Sequence, residues 1–206
     1  MALIYSEEET VMAGVFTTNK VKAAPVRLDM RRIASGRGQA IIVNSGNANA
    51  CTGKRGMADA AEMAALVARG LKLNSAMVYT CSTGVIGTPM PMEKVRQGIS
   101  ELLHNLGKGT VQDVASAIMT TDTFHKVVSR RVKVENKTGT ITGICKGAGM
   151  ICPNMATMLC FLITDFAVEE KTLSRVLKDA VEKSFNALSV DGDMSTNDTV
   201  LIMANG

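Results

Sequence analysis

The pair Ala156-Thr157 places a small residue before a hydroxyl residue, between a turn rich in glycine and an apolar run. An internal hydroxyl can attack the carbonyl of the preceding residue, shift the chain from amide to ester and let water cleave it. The new amino-terminal threonine can use its own α-amine as the base for its hydroxyl. Gly147 and Pro153 favour the tight turn that this needs, and "MLCFLIT" favours a rigid strand after it. The alternative is that Thr157 simply begins a strand, where Thr is common.

A second candidate for chemistry is "CSTGVIG", residues 81–87, which follows an apolar run. Thr83 and Gly84 can offer a hydroxyl and a backbone N–H to a developing oxyanion. The alternative is an ordinary strand–turn–helix connection. Residues 44–53, "NSGNANACTG", form a small polar stretch that lacks the Lys-Ser/Thr ending of a P-loop and the dinucleotide-binding glycine spacing. The pattern therefore gives little support to nucleotide binding.

Lys146 stands directly before the glycine-containing turn and 11 residues before Thr157. If the strand ending near Cys145 and the strand starting at Thr157 lie side by side, the ammonium group comes near the candidate nucleophile. A lysine there can bind a substrate carboxylate. The alternative is a solvated charge at the end of a strand.

The elements that must position these residues follow from hydrophobic periodicity and turn signals. Helices are predicted over 56–71, 92–106, 110–121 and 169–188, and Thr110 and Asp113 are placed as an N-cap and its partner. Strands are predicted over 39–46, 75–84, 157–165 and 199–206, and a β-hairpin over 126–147. Mixed strands and helices, with crossovers and a hairpin, predict a layered α/β or α+β fold. Because the last strand ends abruptly at Gly206, we expect the sequence to be part of a longer protein.

Composition excludes several classes of function. The net charge of +4 is spread along the chain, and seven aromatic residues (two Tyr and five Phe) give little for base stacking, so nucleic-acid binding is disfavoured. No apolar run is long enough to cross a bilayer. Five cysteines without a C-x-x-C pair suit a reducing compartment, which predicts a cytoplasmic protein. Two histidines without ligand-like spacing make a zinc site improbable, and no metal is expected.

Several long stretches together resemble one family, ornithine acetyltransferase, the bifunctional arginine-biosynthesis enzyme (glutamate N-acetyltransferase). The stretches are "AGVFTTN", "AAPV", "VNSGNANACTG", "CSTGVIG", "AIMTTDT", "KGAGMICPNMATML", "SFNALSVDGDMSTNDT" and the terminal "ANG". They extend from about residue 13 to the end of the chain. The resemblance implies an αββα sandwich of the kind shared with some aminopeptidases of the N-terminal-nucleophile-like type, of which residues 1–206 form a portion of one catalytic domain.

The resemblance also assigns roles to particular residues. It implies self-cleavage between Ala156 and Thr157, giving pieces 1–156 and 157–206, with Thr157 as the nucleophile that carries the acetyl group. Thr83 and Gly84 match the oxyanion-hole pair of the family. Lys146 and Thr157 match substrate-binding positions, and so does a threonine of "MTTDT", placed at Thr120 with Thr121 as the close alternative.

The implied reaction is a two-step transfer of acetyl from N-acetylornithine to glutamate through an acetyl-threonine. It needs no cofactor, although some members also take acetyl-CoA as a donor substrate. The implied partners are those two amino-acid substrates, the remainder of the chain's own β-piece, and further copies in an oligomer of α- and β-chains. An amidase or aminopeptidase acting through the same threonine, and a binding subunit without activity, remain as alternatives.

Two departures from the family pattern stand out. The family protein is longer at both ends, and a glutamate and two polar residues of its substrate site lie beyond Gly206. His125 stands where a proline is common, and Cys152 occupies a variable position. Neither His125 nor Cys152 is a residue with an assigned role.

Overall fold

The computed structural model describes residues 1–149, 158–187 and 194–206. The strands of this part of the chain are β1 (Ala2–Phe16), β2 (Arg37–Asn47), β3 (Val78–Val85), β4 (Lys126–Val134), β5 (Lys137–Lys146), β6 (Leu159–Thr164) and β7 (Thr199–Ala204). Its α-helices are α1 (Ala24–Arg32), α2 (Gly53–Leu71), α3 (Met92–His104), α4 (Val111–Ala117) and α5 (Glu170–Lys183). Every strand and helix that the sequence predicted is present, and β1 and α1 are additional.

The strands form one sheet in the order β3-β2-β1-β7-β6-β5-β4. In a flat sheet β3 and β5, five steps apart in this order, would be separated by about 24 Å. Instead a side chain of β5 lies 3.0 Å from a side chain of β3. The sheet therefore folds back on itself into two layers.

Strand β1 makes this fold possible because it belongs to both layers. Its first part pairs with β2 (Ala2 opposite Val43), and its last part pairs with β7 (Phe16 opposite Thr199). The register with β2 breaks between Tyr5 and Thr10. The residues in between, "SEEE", are polar and largely exposed, which suits a bend at the surface and breaks the apolar alternation that would have revealed a strand.

Three clusters of apolar side chains lie at successive depths of the sandwich, one inside the folded sheet and one on each outer face. The cluster inside the folded sheet contains Ile41, Tyr79, Ile144, Phe161 and Leu201. A second cluster packs α2 and α3 on the outer face of β2 and β3, with Ile42, Met63, Val67, Val78 and Ile99. A third packs α5 on the outer face of β6 and β7, with Cys160, Leu173, Leu177 and Val200. Because neighbouring residues of a strand point to opposite faces, each sheet layer serves two clusters, and the predicted αββα sandwich is confirmed.

Two local features bear on the site. Thr110 and Asp113 form a reciprocal capping box at the start of α4, as predicted. The helix ends at Ala117, before the end of the predicted range 110–121, so Thr120 and Thr121 lie in the connection to β4. In the described parts of the chain, none of the helices combines the length and the apolar character that a membrane span requires.

Candidate active site

Lys146 is the last residue of β5 and is only 2 % exposed. β5 pairs antiparallel with β6, so that Lys146 lies opposite Leu159. The expected side-by-side arrangement of these two strands is therefore present. The alternative interpretation of Lys146 as a solvated charge is wrong, because the side chain enters the interior of the sandwich.

The buried ammonium group of Lys146 joins two hydroxyl groups from distant parts of the chain. Its Nζ donates hydrogen bonds of 3.0 Å to Thr83 Oγ1 and 2.9 Å to Thr120 Oγ1. Within the described residues, no carboxylate oxygen lies within 4.0 Å of this Nζ. A buried ammonium with only neutral acceptors is poorly compensated, and an anionic group beside it would be stabilised.

Burial also changes the acid–base behaviour of this lysine. Loss of solvation lowers the pKa of Lys146 from its ordinary value, while the Asp122 carboxylate and, when it is ionised, the Asp198 carboxyl group oppose that change. Both carboxyl groups act through space, without direct contact. The ammonium is thus held in a weakly solvated position, where its field acts strongly on whatever binds next to it.

Asp122 holds the connection after α4 against the end of β5. Its Oδ1 accepts hydrogen bonds of 2.7 Å from Gly147 N and 2.6 Å from Lys126 Nζ. Burial raises the pKa of Asp122, but these two donors and the charge of Lys146 outweigh it, and the net result is a lowered pKa. The ionised carboxylate fixes the segment that carries Thr120. Sequence reasoning missed this residue, although "TTDT" places an acid beside the candidate threonines.

Thr83 and Gly84 lie near the end of β3, which extends to Val85, one residue beyond the predicted strand 75–84. β3 runs parallel to β2, with Thr83 opposite Ser45 and Gly84 opposite Gly46. Gly84 has φ +133°, and a Cβ there would lie 2.3 Å from the carbonyl carbon of Gly46. Only glycine fits, because the two backbones approach each other so closely.

Side-chain amides brace the loop that follows β2. Asn44 Nδ2 donates to Asn47 O at 2.8 Å, and Asn47 Nδ2 donates to Thr88 O at 3.0 Å. Asn49 Nδ2 donates to Gly56 O at 2.9 Å, which joins the loop to α2. The polar stretch 44–53 thus holds the backbone of Gly46 in place against Gly84.

The segment before β7 completes the wall of the site. Asn197 Nδ2 donates hydrogen bonds of 2.6 Å to Ala48 O and 2.8 Å to Ser82 O, which connects this segment to β3. Ser195 Oγ accepts a 3.1 Å hydrogen bond from Asn197 N. Sequence reasoning assigned no role to these residues, although "MSTNDT" belongs to one of the stretches that carry the family resemblance.

These groups surround a cavity of about 760 Å³. Its lining includes Thr83, Gly84, Thr120, Thr121, Lys146, Gly149 and Asn197. The predicted residues on β3, on β5 and after α4 are therefore brought together. The predicted nucleophile Thr157 and the preceding Ala156 lie outside the described residues, as do Cys152 and Pro153. The next described residue, Met158, is buried directly before β6.

The αββα sandwich has the same fold as proteins of the N-terminal-nucleophile type. L-aminopeptidase D-Ala-esterase/amidase from Ochrobactrum anthropi, described as a variant of the Ntn hydrolase fold, aligns with a TM-score of 0.54 at 15 % identity, over 96 % of this chain and 61 % of its own. At that identity the likeness shows the fold alone.

The sequence matches the ArgJ family along residues 1–206, and the chain belongs to this family. The arginine biosynthesis bifunctional protein ArgJ of Geobacter sulfurreducens is 57 % identical over 206 residues, which is 100 % of this chain and 52 % of that protein. Ornithine acetyltransferase from Mycobacterium tuberculosis, solved in complex with ornithine, aligns with a TM-score of 0.64 at 35 % identity, over 73 % of this chain and 81 % of its own. The chain spans about half the length of the curated relatives it matches.

Proposed function

We propose that this chain carries part of the active site of an arginine-biosynthesis enzyme that transfers acetyl from N-acetylornithine to glutamate. The observation that carries the proposal is the buried Lys146, which joins Thr83 and Thr120 in one cavity beside the start of β6. Membership of the ArgJ family supports the pathway. The bound ornithine of the related acetyltransferase supports the substrate class.

The first half-reaction begins after the bond between Ala156 and Thr157 has been cleaved. The α-amine of Thr157 takes the proton of its own hydroxyl, and Oγ attacks the acetyl carbonyl carbon of N-acetylornithine. Thr83 and Gly84 stabilise the oxyanion that forms on the carbonyl oxygen. The C–N bond then breaks, the proton passes to the departing amine of ornithine, and the acetyl group remains as an ester on Thr157.

The second half-reaction runs through the same groups in the reverse sense. The amine of glutamate attacks the ester carbonyl carbon and loses a proton, and the same oxyanion donors act again. The C–O bond breaks, Thr157 Oγ recovers a proton, and N-acetylglutamate leaves. One site therefore serves two amino acids in turn, and no metal or cofactor takes part in these steps.

Lys146 can bind the α-carboxylate, which both amino-acid substrates share. An ammonium group has three N–H donors, and two of those on Lys146 point at Thr83 and Thr120. The third has no acceptor among the described residues, and we propose that it binds the α-carboxylate of either substrate. A carboxylate there would also provide the direct negative partner that no described residue places within 4.0 Å of this ammonium.

Strand pairing supports lasting association of the two pieces that cleavage would produce. β6 pairs with β5 of the first piece, and β7 pairs with β1 of the first piece. α5, also in the second piece, packs through Leu173 and Leu177 on the outer face of the same layer. We propose that the pieces stay together as one folded unit in an α–β assembly.

We place the enzyme in the cytoplasm on the state of its cysteines. The described cysteines, residues 51, 81, 145 and 160, are free thiols. Cys145 and Cys160 face each other across β5 and β6 and remain unlinked. Free thiols in such a pair suit a reducing compartment.

The test is to incubate the full-length gene product with N-acetylornithine, with and without glutamate, and to measure free ornithine. We expect ornithine release that requires glutamate, with N-acetylglutamate formed in equal amount. The Thr157→Ala variant is the matched control and should release none. A parallel arm with acetyl-CoA and glutamate measures whether acetyl-CoA is a second donor.

The same assay separates the alternatives. Ornithine release at the same rate without glutamate would identify a hydrolase, in which water accepts the acetyl group. Absence of release under all conditions from a folded protein would identify a binding subunit. Either result would overturn the proposed transfer reaction.

A further inference from the structure

Asp198 joins the start of β7 to the residue that follows the predicted nucleophile. Its carboxyl group is buried, and its Oδ1 accepts a 3.0 Å hydrogen bond from the backbone N of Met158. The carbonyl oxygen of Met158 accepts a second bond of 3.2 Å from Thr199 N. Both backbone groups of Met158 are thus held by two consecutive residues.

The bond to Met158 N acts on Thr157 through covalent geometry. The Met158 N–H belongs to the planar peptide group that contains the carbonyl group and the Cα of Thr157. An acceptor that fixes this N–H therefore constrains the plane in which the Cα of the nucleophile lies. Asp198 is one hydrogen bond away from the reacting residue.

The segment that carries Asp198 is also held by the neighbouring strand β1 and by β3. Asp198 O accepts a 2.9 Å hydrogen bond from Thr17 N. Its neighbour Asn197 donates to Ser82 O, directly before Thr83. Asn197 and Asp198 together therefore connect Met158, directly before β6, to β3, which carries the proposed oxyanion donor.

The second carboxyl oxygen of Asp198 is not used to hold Met158. Asp198 Oδ2 is buried and has no hydrogen-bond partner among the described residues. Burial raises the pKa of Asp198 to about 8, against the opposing effects of the Met158 amide, the Ser195 hydroxyl and the charge of Lys146. Lys146 is the charged side chain of the described residues that acts on this carboxyl group. At neutral pH the group therefore keeps its proton.

We propose that Asp198 is a positioning residue, which holds the Thr157–Met158 peptide group through Oδ1 so that the new α-amine of Thr157 can act as the base. This inference rests on the proposed function. Three covalent bonds separate the Met158 nitrogen from the Thr157 nitrogen. An ionised carboxylate this near would favour the ammonium form of the terminus, and an ammonium cannot accept the proton of the hydroxyl.

Two substitutions of Asp198 distinguish the effect of its hydrogen bond to Met158 N from the effect of its charge. Asp198→Asn keeps an oxygen acceptor for Met158 N and stays neutral at every pH. It should keep self-cleavage and kcat at neutral pH within about three-fold of the wild type. Asp198→Ala removes the acceptor and should slow both about ten-fold or more, since a buried N–H is left without a partner.

The pH profile provides a readout that a merely structural role would not change. We expect the wild-type kcat to fall above about pH 8, where Asp198 ionises, and the Asp198→Asn profile to lack that fall. Thr17→Val is the control for loosening of the segment, because it removes the 2.7 Å hydrogen bond from Thr17 Oγ1 to Ser195 O. It should lower stability and leave the shape of the pH profile unchanged.

The outcomes distinguish this inference from the proposed function. Failure of the wild-type full-length gene product to release ornithine would overturn the proposed function. An active wild type with Asp198→Ala unimpaired in cleavage and kcat would overturn the inference alone. So would an Asp198→Asn variant as impaired as Asp198→Ala, because the ionised carboxylate would then be the working form.

Discussion

Lys146 Nζ lies 3.0 Å from Thr83 Oγ1, although their strands are five steps apart in the sheet. This contact exists only because the sheet folds into two layers, and it places a buried positive charge beside the proposed oxyanion donor. Removing the charge should therefore mainly weaken the binding of an anionic substrate group at this position.

For Lys146→Met we expect KM to rise about ten- to a hundred-fold for both N-acetylornithine and glutamate, because a hydrogen bond to a charged group contributes about 1.5–3 kcal/mol. A contact made equally in the ground and transition states appears in KM. Steady-state kinetics with each substrate varied in turn provides the measurement. The control is Lys133→Met, since Lys133 is exposed on β4. It should leave KM unchanged for both substrates. Unchanged KM for both substrates would remove Lys146 from the substrate site.

Thr83→Ala should lower kcat by about 10²–10³ while the protein stays folded, which is the usual effect of removing one preorganised oxyanion donor. Thr83→Ser keeps the hydroxyl and should recover most of the activity. Circular dichroism would verify folding, and kcat would be measured at saturating substrate. A kcat for Thr83→Ala within a few-fold of the wild type would mean that Thr83 is only a structural residue of β3.

Gly84→Ala should disrupt the site or the fold, because its Cβ would meet the backbone of Gly46 at 2.3 Å. Gly87→Ala is the matched control: Gly87 also has a positive φ, of +82°, but a Cβ there meets no atom within 4 Å. Backbone strain alone costs of order 1–3 kcal/mol. Denaturant unfolding should show Gly84→Ala as clearly the more damaging of the two, and equal losses would contradict the close approach.

Self-cleavage should occur between Ala156 and Thr157, and Thr157→Ala should leave the precursor intact because it lacks the attacking hydroxyl. Intact-mass analysis of the purified full-length gene product would show whether two pieces are present. Amino-terminal sequencing of the second piece should begin Thr-Met-Leu. Any other first residue would show that the nucleophile has been assigned wrongly.

The free energy of unfolding should fall as pH rises from the ordinary Asp value of 3.8 to about 8, because native Asp198 keeps a proton that the unfolded chain releases. Its contribution has a slope of at most about 1.4 kcal/mol per pH unit. Asp29 is buried and accepts a 2.9 Å hydrogen bond from Thr80 N. Burial raises the pKa of Asp29, so this group also lowers the free energy of unfolding as pH rises. Relative to the wild type, Asp198→Asn should gain stability as pH rises through this window. A stability difference that does not change with pH would show that Asp198 is already ionised.

Local signals were sufficient for most of the elements. Apolar alternation predicted the hairpin of β4 and β5, and helical spacing predicted α2, α3 and α5. β1 was missed because "SEEE" interrupts its pattern at the bend between layers. α1 is short, and its apolar residues Val26, Leu28 and Met30 recur at every second position, which is the spacing of a strand and not of a helix. The predicted α4 was too long: the helix ends at Ala117, and its C-cap residue Ile118 packs into the central cluster.

The sequence by itself determined the fold class, the family and the residue types of the candidate site, including Thr83, Gly84, Thr120 and Lys146. These depend on local patterns and on long contiguous stretches, which a sequence carries directly. The tertiary structure alone decided that Lys146 is buried and bonded to both threonines. It also decided that Asp122 accepts a hydrogen bond from Gly147 and that Asp198 accepts one from Met158. Those relationships join residues 25 to 63 positions apart. They arise because a single sheet folds over a shared apolar core, and no local pattern records which strand ends that folding brings together.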